Sequence, residues 1–140
     1  MRLSVFSPES STQLLIDLTK IYQDYFPPEQ LTHESLQALL ENEQTQFYVT
    51  LFNERHLGAL RVQITEHQAL LSLLSVRDLT RRRGIAKNLL REVEKQLKTE
   101  QVTMLKMSLK EIPEAEKEGL TLFMQAAGYQ LAENVFTKML

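Results

Sequence analysis

The sequence predicts a single mixed α/β domain whose central sheet is covered by helices on both faces. Strand and helix patterns alternate along the 140 residues without linkers, repeats or low-complexity stretches, and a chain of this length is ordinarily one domain. The segment "ALLSLLSV", residues 69–76, is too continuously apolar for a surface strand and indicates a central one. The closing order of strand, helix, strand, helix and strand predicts helices packed on a sheet of this kind.

The first half of the chain predicts a short strand, two helices and a hairpin. "RLSVF" is the strand, and apolar residues then recur at helical spacing from Leu14 to Tyr25 until a proline pair at 27–28 ends the helix. A second helix is expected from about residue 28 to residue 40. The stretch "QFYVTLFNERHLGALRVQIT" predicts two strands that turn at Asn53 and Glu54, a hairpin signal that lacks the usual glycine.

The second half predicts strands that alternate with two longer helices. After the apolar strand, a helix is expected to reach about Lys98, because the residues of one face recur at helical spacing. These residues are Ile85, Leu89, Leu90, Val93 and Leu97. "VTMLKMS" predicts another strand, and a further helix follows Pro113 and ends near Gly128, a residue suited to a helix C-terminus. "VFTKML" predicts the last strand.

The composition argues against several classes of protein. The chain has 16 Lys and Arg residues against 18 Asp and Glu residues, whereas a duplex-binding domain is more often basic overall, so no nucleic-acid partner is expected. It has no cysteine, and its three histidines lack metal-ligand spacing, so no metal is expected. The start of the chain lacks the apolar core of a signal peptide, and no apolar run is long enough to span a membrane. We therefore expect a cytoplasmic protein without a membrane segment.

A local run of positive charge, Arg81, Arg82 and Arg83, stands directly before Gly84 and the start of the next predicted helix. The start of a helix offers N–H groups without helical partners and the positive end of the helix dipole, which together bind phosphate oxygens. Gly84 lacks a Cβ and lets a ligand approach the main chain closely, and Ala86 is small. Because arginines add charge-assisted hydrogen bonds to the same oxygens, the segment predicts a pyrophosphate site.

A solvated face is the alternative interpretation of the same run, because loop arginines beside a helix are commonly exposed. Three positive charges at a helix N-terminus oppose the dipole, however, and this lowers stability unless a bound anion relieves it. The helix dipole therefore favours an anionic ligand over a plain solvated face.

Two segments, in this order and spacing, resemble the GCN5-related N-acetyltransferase (GNAT) superfamily. The pattern Arg81-x-x-Gly84-x-Ala86, between an apolar strand and a helix, resembles the superfamily's acyl-coenzyme A pyrophosphate signature. "LFMQAAGY" resembles its second signature, an aromatic-rich helix that ends in Gly and an aromatic residue. The resemblance implies one GNAT-like acyl-CoA-binding domain over residues 1–140, with a mixed, mostly antiparallel central sheet flanked by helices.

A narrower resemblance lies within that superfamily. "FNERHLGALRV", "SLLSVRDLTRRRG" and "FMQAAGY" together resemble the PanM/PanZ family, the maturation factors of aspartate 1-decarboxylase in pantothenate synthesis. The family implies a regulatory protein that binds acetyl-CoA or CoA and docks on the decarboxylase proenzyme. Docking promotes the proenzyme's cleavage of its own Gly-Ser bond, which generates the pyruvoyl cofactor, and the loaded complex also couples pantothenate output to the CoA level. We expect a monomer before it assembles on the decarboxylase.

The resemblance also implies particular contacts. The pyrophosphate is expected on the arginine run and the helix start, and the pantetheine amides are expected on the edge of the strand at residues 69–76, as if the ligand were another strand. The expected coenzyme-binding residues are Leu74, Ser75, Val76, Arg81, Arg82, Arg83, Gly84, Ile85, Ala86 and Lys87. The expected partner-binding residues are Asn53 and Arg55 in the hairpin turn and Arg77 before the arginine run. A plain turn at Asn53 and a loop charge at Arg77 are the alternative interpretations.

An N-acetyltransferase acting on a small amine or a protein amine is the alternative function. Such an enzyme commonly uses a base and an acid, and in many members of the fold the acid is a tyrosine at the place held here by Met124, which has no proton to donate. The strand at residues 69–76 supplies only Ser72 and Ser75 as polar residues. The sequence therefore predicts no catalytic residue and favours a binding protein, although positioning alone also supports transfer in some enzymes.

Other residues allow more than one interpretation. Glu66 and His67 would serve as bases only if their turn folds over the cleft, and Tyr129 is expected to pack in the core. Residues 110–119, "KEIPEAEKEG", are either a mobile loop over the cleft or a longer first turn of the last helix. Three aromatic residues either line a substrate channel or belong to the core: Tyr22, Tyr25 and Phe26.

Overall fold

The computed structural model describes residues 3–77 and 84–140 of the chain. Within these ranges the strands are β1 (Ser4–Phe6), β2 (Gln46–Phe52), β3 (Arg55–Thr65), β4 (Gln68–Val76), β5 (Met104–Ser108), β6 (Gln130–Ala132) and β7 (Val135–Met139). The helices are α1 (Thr12–Ile21), α2 (His33–Glu41), α3 (Ile85–Thr99) and α4 (Lys117–Ala126). Short 3-10 turns at Pro28–Gln30 and Glu114–Glu116 precede α2 and α4. The expected pyrophosphate ligands Arg81, Arg82 and Arg83 lie outside the described residues.

These seven strands form one sheet in the order β1-β2-β3-β4-β5-β7-β6. Neighbouring strands run antiparallel, except β4 and β5, which run parallel. A parallel pair needs a long crossover, and α3 provides it between β4 and β5. The prediction of a mixed, mostly antiparallel sheet flanked by helices is confirmed.

The helices cover the sheet from both sides and form two hydrophobic clusters with it. α1 and α2 pack on one face, against Phe47, Val49 and Ala59. α3 and α4 pack on the other face, where α3 contributes Ile85, Leu89, Leu90, Val93 and Leu97 as a buried stripe. Since each such side chain contributes roughly 1.5–3 kcal/mol on burial, this stripe fixes the position of α3 and therefore of its first residues.

Three details differ from the sequence-based expectations. The expected second helix divides into the turn at Pro28–Gln30 and α2, which begins where the Thr32 side chain accepts a hydrogen bond from the Ser35 N–H at 3.1 Å. β6 was not expected, because it is only three residues long. The apolar strand β4 is central but not covered throughout, since Leu70 remains 44% exposed where α1 and α2 do not reach.

The hairpin turn between β2 and β3 has a type I′ conformation in spite of its sequence. Asn53 and Glu54 have φ angles of +50° and +64°, and Phe52 pairs with Arg55 across the turn. Both central residues of a type I′ turn need positive φ, which asparagine tolerates better than most residues. The predicted break at Asn53-Glu54 is therefore confirmed, and the turn is the tight two-residue form.

Candidate functional site

The candidate site is the gap that opens where β5 leaves β4. β4 pairs with β5 only from Gln68 to Leu71, but it stays paired with β3 as far as Val76. The last residues of β4 therefore have a neighbouring strand on one side only. A cavity of about 300 Å³ lies in this gap. Its lining residues are Tyr25, Leu74, Ser75, Val76, Ala86, Glu116, Gly119, Leu120 and Phe123.

The open edge of β4 presents main-chain hydrogen-bonding groups to this cavity. The Arg77 N–H donates to the Leu57 carbonyl at 2.8 Å, so Arg77, and by alternation Ser75, direct their main-chain groups towards β3. Leu74 and Val76 consequently direct their N–H and C=O groups towards the open edge. An extended ligand can pair with such groups as a further strand would.

β4 is distorted at the point where β5 diverges. Ser72 pairs with Arg61 and Ser75 pairs with Ala59, so β4 has one residue more than β3 over this stretch. Leu73, inside the stretch, has a φ of +52°. The extra residue makes a β-bulge, a feature that bends a strand and re-aims its groups. The bulge thus turns the end of β4 away from β5 and widens the gap.

The end of α1 is fastened to the same part of β4. The Tyr22 hydroxyl donates to the Leu73 carbonyl at 2.8 Å, and the Tyr25 hydroxyl donates to the Leu74 carbonyl at 3.0 Å. In the opposite direction, the Ser75 hydroxyl donates to the Ile21 carbonyl at 2.7 Å. Tyr22 is fully buried, whereas Tyr25 lines the cavity. Of the two interpretations that the sequence allows, Tyr22 therefore fits the core residue and Tyr25 fits the residue that lines a cavity.

The start of α3 forms the other end of the cavity. Gly84 has a φ of +72°, in the left-handed region that favours glycine, and an added Cβ there would meet nothing within 4 Å. Ile85 is buried, Ala86 lines the cavity and Lys87 is exposed. No described side chain caps this helix start, and its first turn has no acidic residue. These features suit an anion bound at the helix N-terminus.

A buried carboxylate, Asp17 of α1, holds the hairpin turn between β2 and β3. It accepts hydrogen bonds from the His56 main-chain N–H at 2.8 Å, from the Gln13 side chain at 2.9 Å and from the Arg55 guanidinium at 3.2 Å. The His56 ring Nδ1 lies 2.8 Å from the same carboxylate, and because an ionised carboxylate only accepts, this nitrogen is the donor. Burial by itself raises the pKa of Asp17, but the His56 and Gln13 hydrogen bonds and the Arg55 charge outweigh burial and lower it.

Of the two expected partner-binding residues in the turn, Asn53 lies at the exposed tip and Arg55 is partly engaged by Asp17. The Arg55 side chain is nevertheless 44% exposed. The turn lies at the same end of the sheet as the cavity, since Leu57 of β3 bonds to Arg77 just after β4. Two residues, Arg55 and His56, separate this turn from Leu57, and a Cβ added to the following Gly58 would lie 3.5 Å from the Ile85 side chain of α3. The expected docking turn and the start of α3 therefore belong to neighbouring surfaces.

The residues considered for acid–base chemistry lie mostly outside the cavity. Met124 is fully buried in the core. Glu66 and His67 precede β4, at the end opposite Val76, where the His67 carbonyl accepts from the Thr103 N–H at 2.8 Å. Their turn consequently does not fold over the cavity.

Tyr129 is a core residue, as expected. Its hydroxyl donates to a Glu94 carboxylate oxygen at 2.6 Å, and the Lys138 ammonium donates to the other oxygen at 3.1 Å. Burial raises the pKa of Tyr129, and the hydrogen bond and negative charge of Glu94 raise it further. A phenol held in this way is not a proton donor for chemistry in the cavity.

The cavity wall contributed by the last helix was only partly anticipated, through the interpretation of residues 110–119 as a segment over the cleft. Glu116, Gly119, Leu120 and Phe123 line it, and the segment at residues 110–119 runs through the turn at Glu114–Glu116 directly into α4. The apolar spacing of Leu120 and Phe123 predicted the helix but not which of its residues face a cavity. Polar groups that line the cavity are supplied by Tyr25, Ser75 and Glu116.

Residues 3–77 and 84–140 contain neither a metal-binding cluster nor a membrane-spanning helix. No cluster of three or more histidine, cysteine, aspartate or glutamate side chains in these ranges is arranged to hold a metal ion. Across the same residues, no helix combines the length and apolar character needed to cross a membrane.

The parallel β4–β5 pair that separates around a cavity, with a helix start at one end, defines a GNAT domain, and comparisons with solved structures agree. The solution structure of YhhK from Escherichia coli bound to coenzyme A matches with a TM-score of 0.79 and 31% identity, over 99% of each chain. The PaiA N-acetyltransferase of Thermoplasma acidophilum, in complex with coenzyme A, matches with a TM-score of 0.73 and 16% identity, over 100% of each chain. The second likeness shows the fold alone.

The particular family is the one described as "Acetyltransferase (GNAT) domain, PanZ", whose model matches residues 3–137. The chain belongs to this family, and the resemblance seen in the sequence is confirmed. The PanD regulatory factors of Salmonella typhimurium strain LT2 and Escherichia coli K12 are each 39% identical to it over 94 residues, which is 66% of this chain and 67% of theirs.

Proposed function

We propose that this protein binds acetyl-CoA or CoA and regulates PanD, the aspartate 1-decarboxylase, by promoting autocleavage of its proenzyme. One observation carries the proposal: the open edge of β4 and the start of α3 share a single cavity at the end of the sheet that bears the Asn53-Glu54 turn. The relatives named PanD regulatory factor support the partner, and the coenzyme A bound to YhhK supports the ligand.

The coenzyme lies along the cavity in this proposal. Its pantetheine arm pairs with the main-chain groups of Leu74 and Val76, so it extends the sheet in the place that β5 leaves open. Its pyrophosphate lies on the N–H groups at the start of α3 and on the arginines at 81–83. The apolar side chains of Leu120 and Phe123 cover the arm from the opposite wall.

The partner surface in this proposal combines the hairpin turn with the bound coenzyme. The proenzyme contacts Asn53 and Arg55, with Arg77 close to both surfaces. A partner that recognises the two together responds to coenzyme concentration as a binding free energy, which couples pantothenate output to the CoA level. The protein works in the cytoplasm as a monomer that assembles on the decarboxylase.

A proenzyme cleavage assay tests this function. The purified cognate PanD precursor is incubated with this protein, with acetyl-CoA, with both and with neither, and the products are followed by intact mass. Pyruvoyl formation that accelerates only with both additions is the expected result. An intact precursor that does not cleave faster, although calorimetry shows that the coenzyme is bound, would refute the maturation role.

Replacing Asn53 by glycine separates docking from coenzyme binding. Glycine retains the positive φ of this position and removes only the amide side chain. The dissociation constant for the proenzyme is expected to rise about tenfold, the effect of losing a well-placed polar contact, while coenzyme affinity stays within about twofold. Asn134→Gly is the matched control, since Asn134 has a φ of +65° in the turn between β6 and β7. Equal losses in both variants would contradict a docking role for Asn53.

Acetyl transfer to an amine is the second candidate function, and one observation favours it. The Tyr25 hydroxyl and the Glu116 carboxylate both line the cavity, so an acid and a base are within the same space. A screen of amines, with release of free CoA thiol as the readout, tests this activity. Turnover that Glu116→Gln abolishes would support an enzyme, whereas background release with every amine would refute one.

A further inference from the structure

Tyr25 occupies the end of the cavity that lies farthest from the start of α3. The cavity runs from Ala86 past Val76 to Leu74, and Tyr25 bonds to the Leu74 carbonyl at 3.0 Å. Tyr25 also lines a second recess, of about 20 Å³. This recess is lined also by Ser72, Leu73, Leu74, Met107, Ser108, Glu111 and Ile112. Tyr25 therefore borders both the cavity and a space large enough for one water or methyl group.

Neighbouring rings hold Tyr25 in this position. The Tyr22 ring meets it edge to face with centroids 5.9 Å apart, and the Phe26 ring lies 6.4 Å from it. The chain turns sharply there, since the N–H groups of Tyr25 and Phe26 both donate to the Tyr22 carbonyl, at 2.9 and 3.2 Å. The Tyr25 hydroxyl is thus placed by packing and by main-chain geometry, which favours a defined contact with a ligand.

Tyr25 donates its hydrogen bond to a carbonyl that the ligand also uses in the proposed function. The Leu74 carbonyl faces the open edge of β4, and a pantetheine amide N–H paired with that edge needs this carbonyl as its acceptor. A phenol has only one proton to donate. A main-chain carbonyl can accept two hydrogen bonds, so a ligand amide need not displace Tyr25. The hydroxyl can turn from this carbonyl to another acceptor that the ligand brings to the same end of the cavity.

We infer that Tyr25 is the residue by which this protein distinguishes acetyl-CoA from free CoA, an inference that rests on the proposed coenzyme site. The thioester of acetyl-CoA ends the pantetheine arm with a carbonyl oxygen, which accepts the hydrogen bond from Tyr25. Its methyl group packs beside Tyr25 at the recess that this residue also lines. Free CoA ends in a thiol, which brings neither a carbonyl acceptor nor a methyl group. The tyrosine therefore favours the acetylated coenzyme.

Calorimetric titration of the whole protein tests this inference with three ligands. Acetyl-CoA carries the thioester carbonyl, free CoA ends in a thiol, and S-ethyl-CoA has a chain of matching size without the carbonyl. The variants are Tyr25→Phe and, as a matched control, Tyr22→Phe. The control removes the same kind of hydroxyl from the neighbouring Leu73 carbonyl, but Tyr22 is fully buried and does not line the cavity.

The expected result is a selective loss. Tyr25→Phe weakens acetyl-CoA binding about fivefold, the effect of one neutral hydrogen bond, and leaves CoA and S-ethyl-CoA within about twofold. Tyr22→Phe leaves the ratio of the three affinities unchanged. An equal loss for all ligands in Tyr25→Phe, or the same change of ratio in Tyr22→Phe, would overturn the inference.

The same titrations separate this inference from the function on which it rests. Failure of the unaltered protein to bind any of the three ligands would refute the coenzyme site itself. Binding of all three with an unchanged ratio in Tyr25→Phe would refute only the role of Tyr25. Retained CoA binding by the variant also demonstrates that it is folded.

Discussion

The two halves of β4 have different surroundings. From Gln68 to Leu71 the strand is paired on both sides, with β3 and with β5. From Ser72 to Val76 it has β3 on one side and the cavity on the other. Leu71 belongs wholly to the core, whereas Leu74 belongs to the core and also lines the cavity. One uninterrupted apolar strand thus supplies part of the scaffold with its first half and the candidate site with its second.

The most destabilising change is expected in the paired half. Leu71→Ala removes a fully buried side chain, and a cavity of that kind typically lowers the free energy of unfolding by about 3 kcal/mol. Urea denaturation measures this loss. Coenzyme affinity, measured by calorimetry under conditions where the variant is folded, is expected to stay within about twofold.

Leu74→Ala is the matched change in the open half. It is expected to raise the dissociation constant for CoA about tenfold, because the side chain that it truncates lines the cavity. Equal effects of the two substitutions on CoA affinity would show that the halves do not differ in function.

Asp17→Asn is expected to lower the free energy of unfolding less than Leu71→Ala does. It weakens the attachment of α1 over the open half of β4. The amide cannot accept all the hydrogen bonds from His56, Gln13 and Arg55, and the free energy of unfolding should fall by about 2 kcal/mol. CoA affinity should fall as well, because the turn that holds Tyr22 and Tyr25 directly follows α1. Glu94→Gln is the control, since Glu94 is a partly buried carboxylate on α3 that bonds to Tyr129 and Lys138, away from the cavity.

The pH dependence of stability tests the hydrogen bonds of Asp17, which hold α1 over the open half of β4. The pKa of Asp17 is lowered from its ordinary value of 3.8, so its contribution is fully present above that pH and is lost as the pH falls through the lowered pKa of the folded protein. The difference in unfolding free energy between the protein and Asp17→Asn should therefore shrink below about pH 4. A difference that stays constant down to pH 2 would contradict the assigned hydrogen bonds.

The smallest loss of stability is expected from Gly84→Ala at the start of α3. A φ of +72° disfavours alanine by about 1 kcal/mol, and the added methyl group enters the space proposed for the pyrophosphate. The dissociation constant for CoA should rise about tenfold by calorimetry. Gly128→Ala is the control away from the cavity wall, since Gly128 also has a positive φ, of +98°, and an added Cβ there meets the Lys138 side chain at 3.4 Å. A similar loss in both variants would place the phosphate elsewhere.

Much of the fold was predictable from the sequence, because its patterns are local. The spacing of the buried residues of α3 defined that helix to within a residue, and Asn53-Glu54 marked a turn without glycine. The exposure of Leu70 was not predictable, because an apolar strand does not reveal how far the helices of another segment extend over it. β6 was missed because three residues, of which Gln130 and Ala132 are exposed, carry no clear period.

The candidate site was predictable only where one continuous segment forms it. Leu74, Ser75, Val76, Gly84 and Ala86 follow one another along the chain, and the structure places them around the cavity or at its end. Tyr25 continued the helical spacing of Tyr22, but α1 ends at Ile21 and the following turn sends the two rings to different places. Glu116 lies in the segment 110–119 that was considered as a loop over the cleft, whereas Leu120 and Phe123 join the site through tertiary packing, for which the sequence has no local signal.

The short contact between β4 and β5 has a consequence for the lifetime of the protein. Four residue pairs between β4 and β5 join the antiparallel strands β1–β4 to the group formed by β5, β7 and β6. A coenzyme in the proposed position contacts β4 in the first group of strands and α4, which packs with the second group. It would therefore hold the two groups together. Partial unfolding that separates the two groups of strands would then become rarer as the ligand concentration rises. Proteolytic turnover of the protein would consequently slow when coenzyme is abundant, so that the supply of ligand sets the amount of its own receptor.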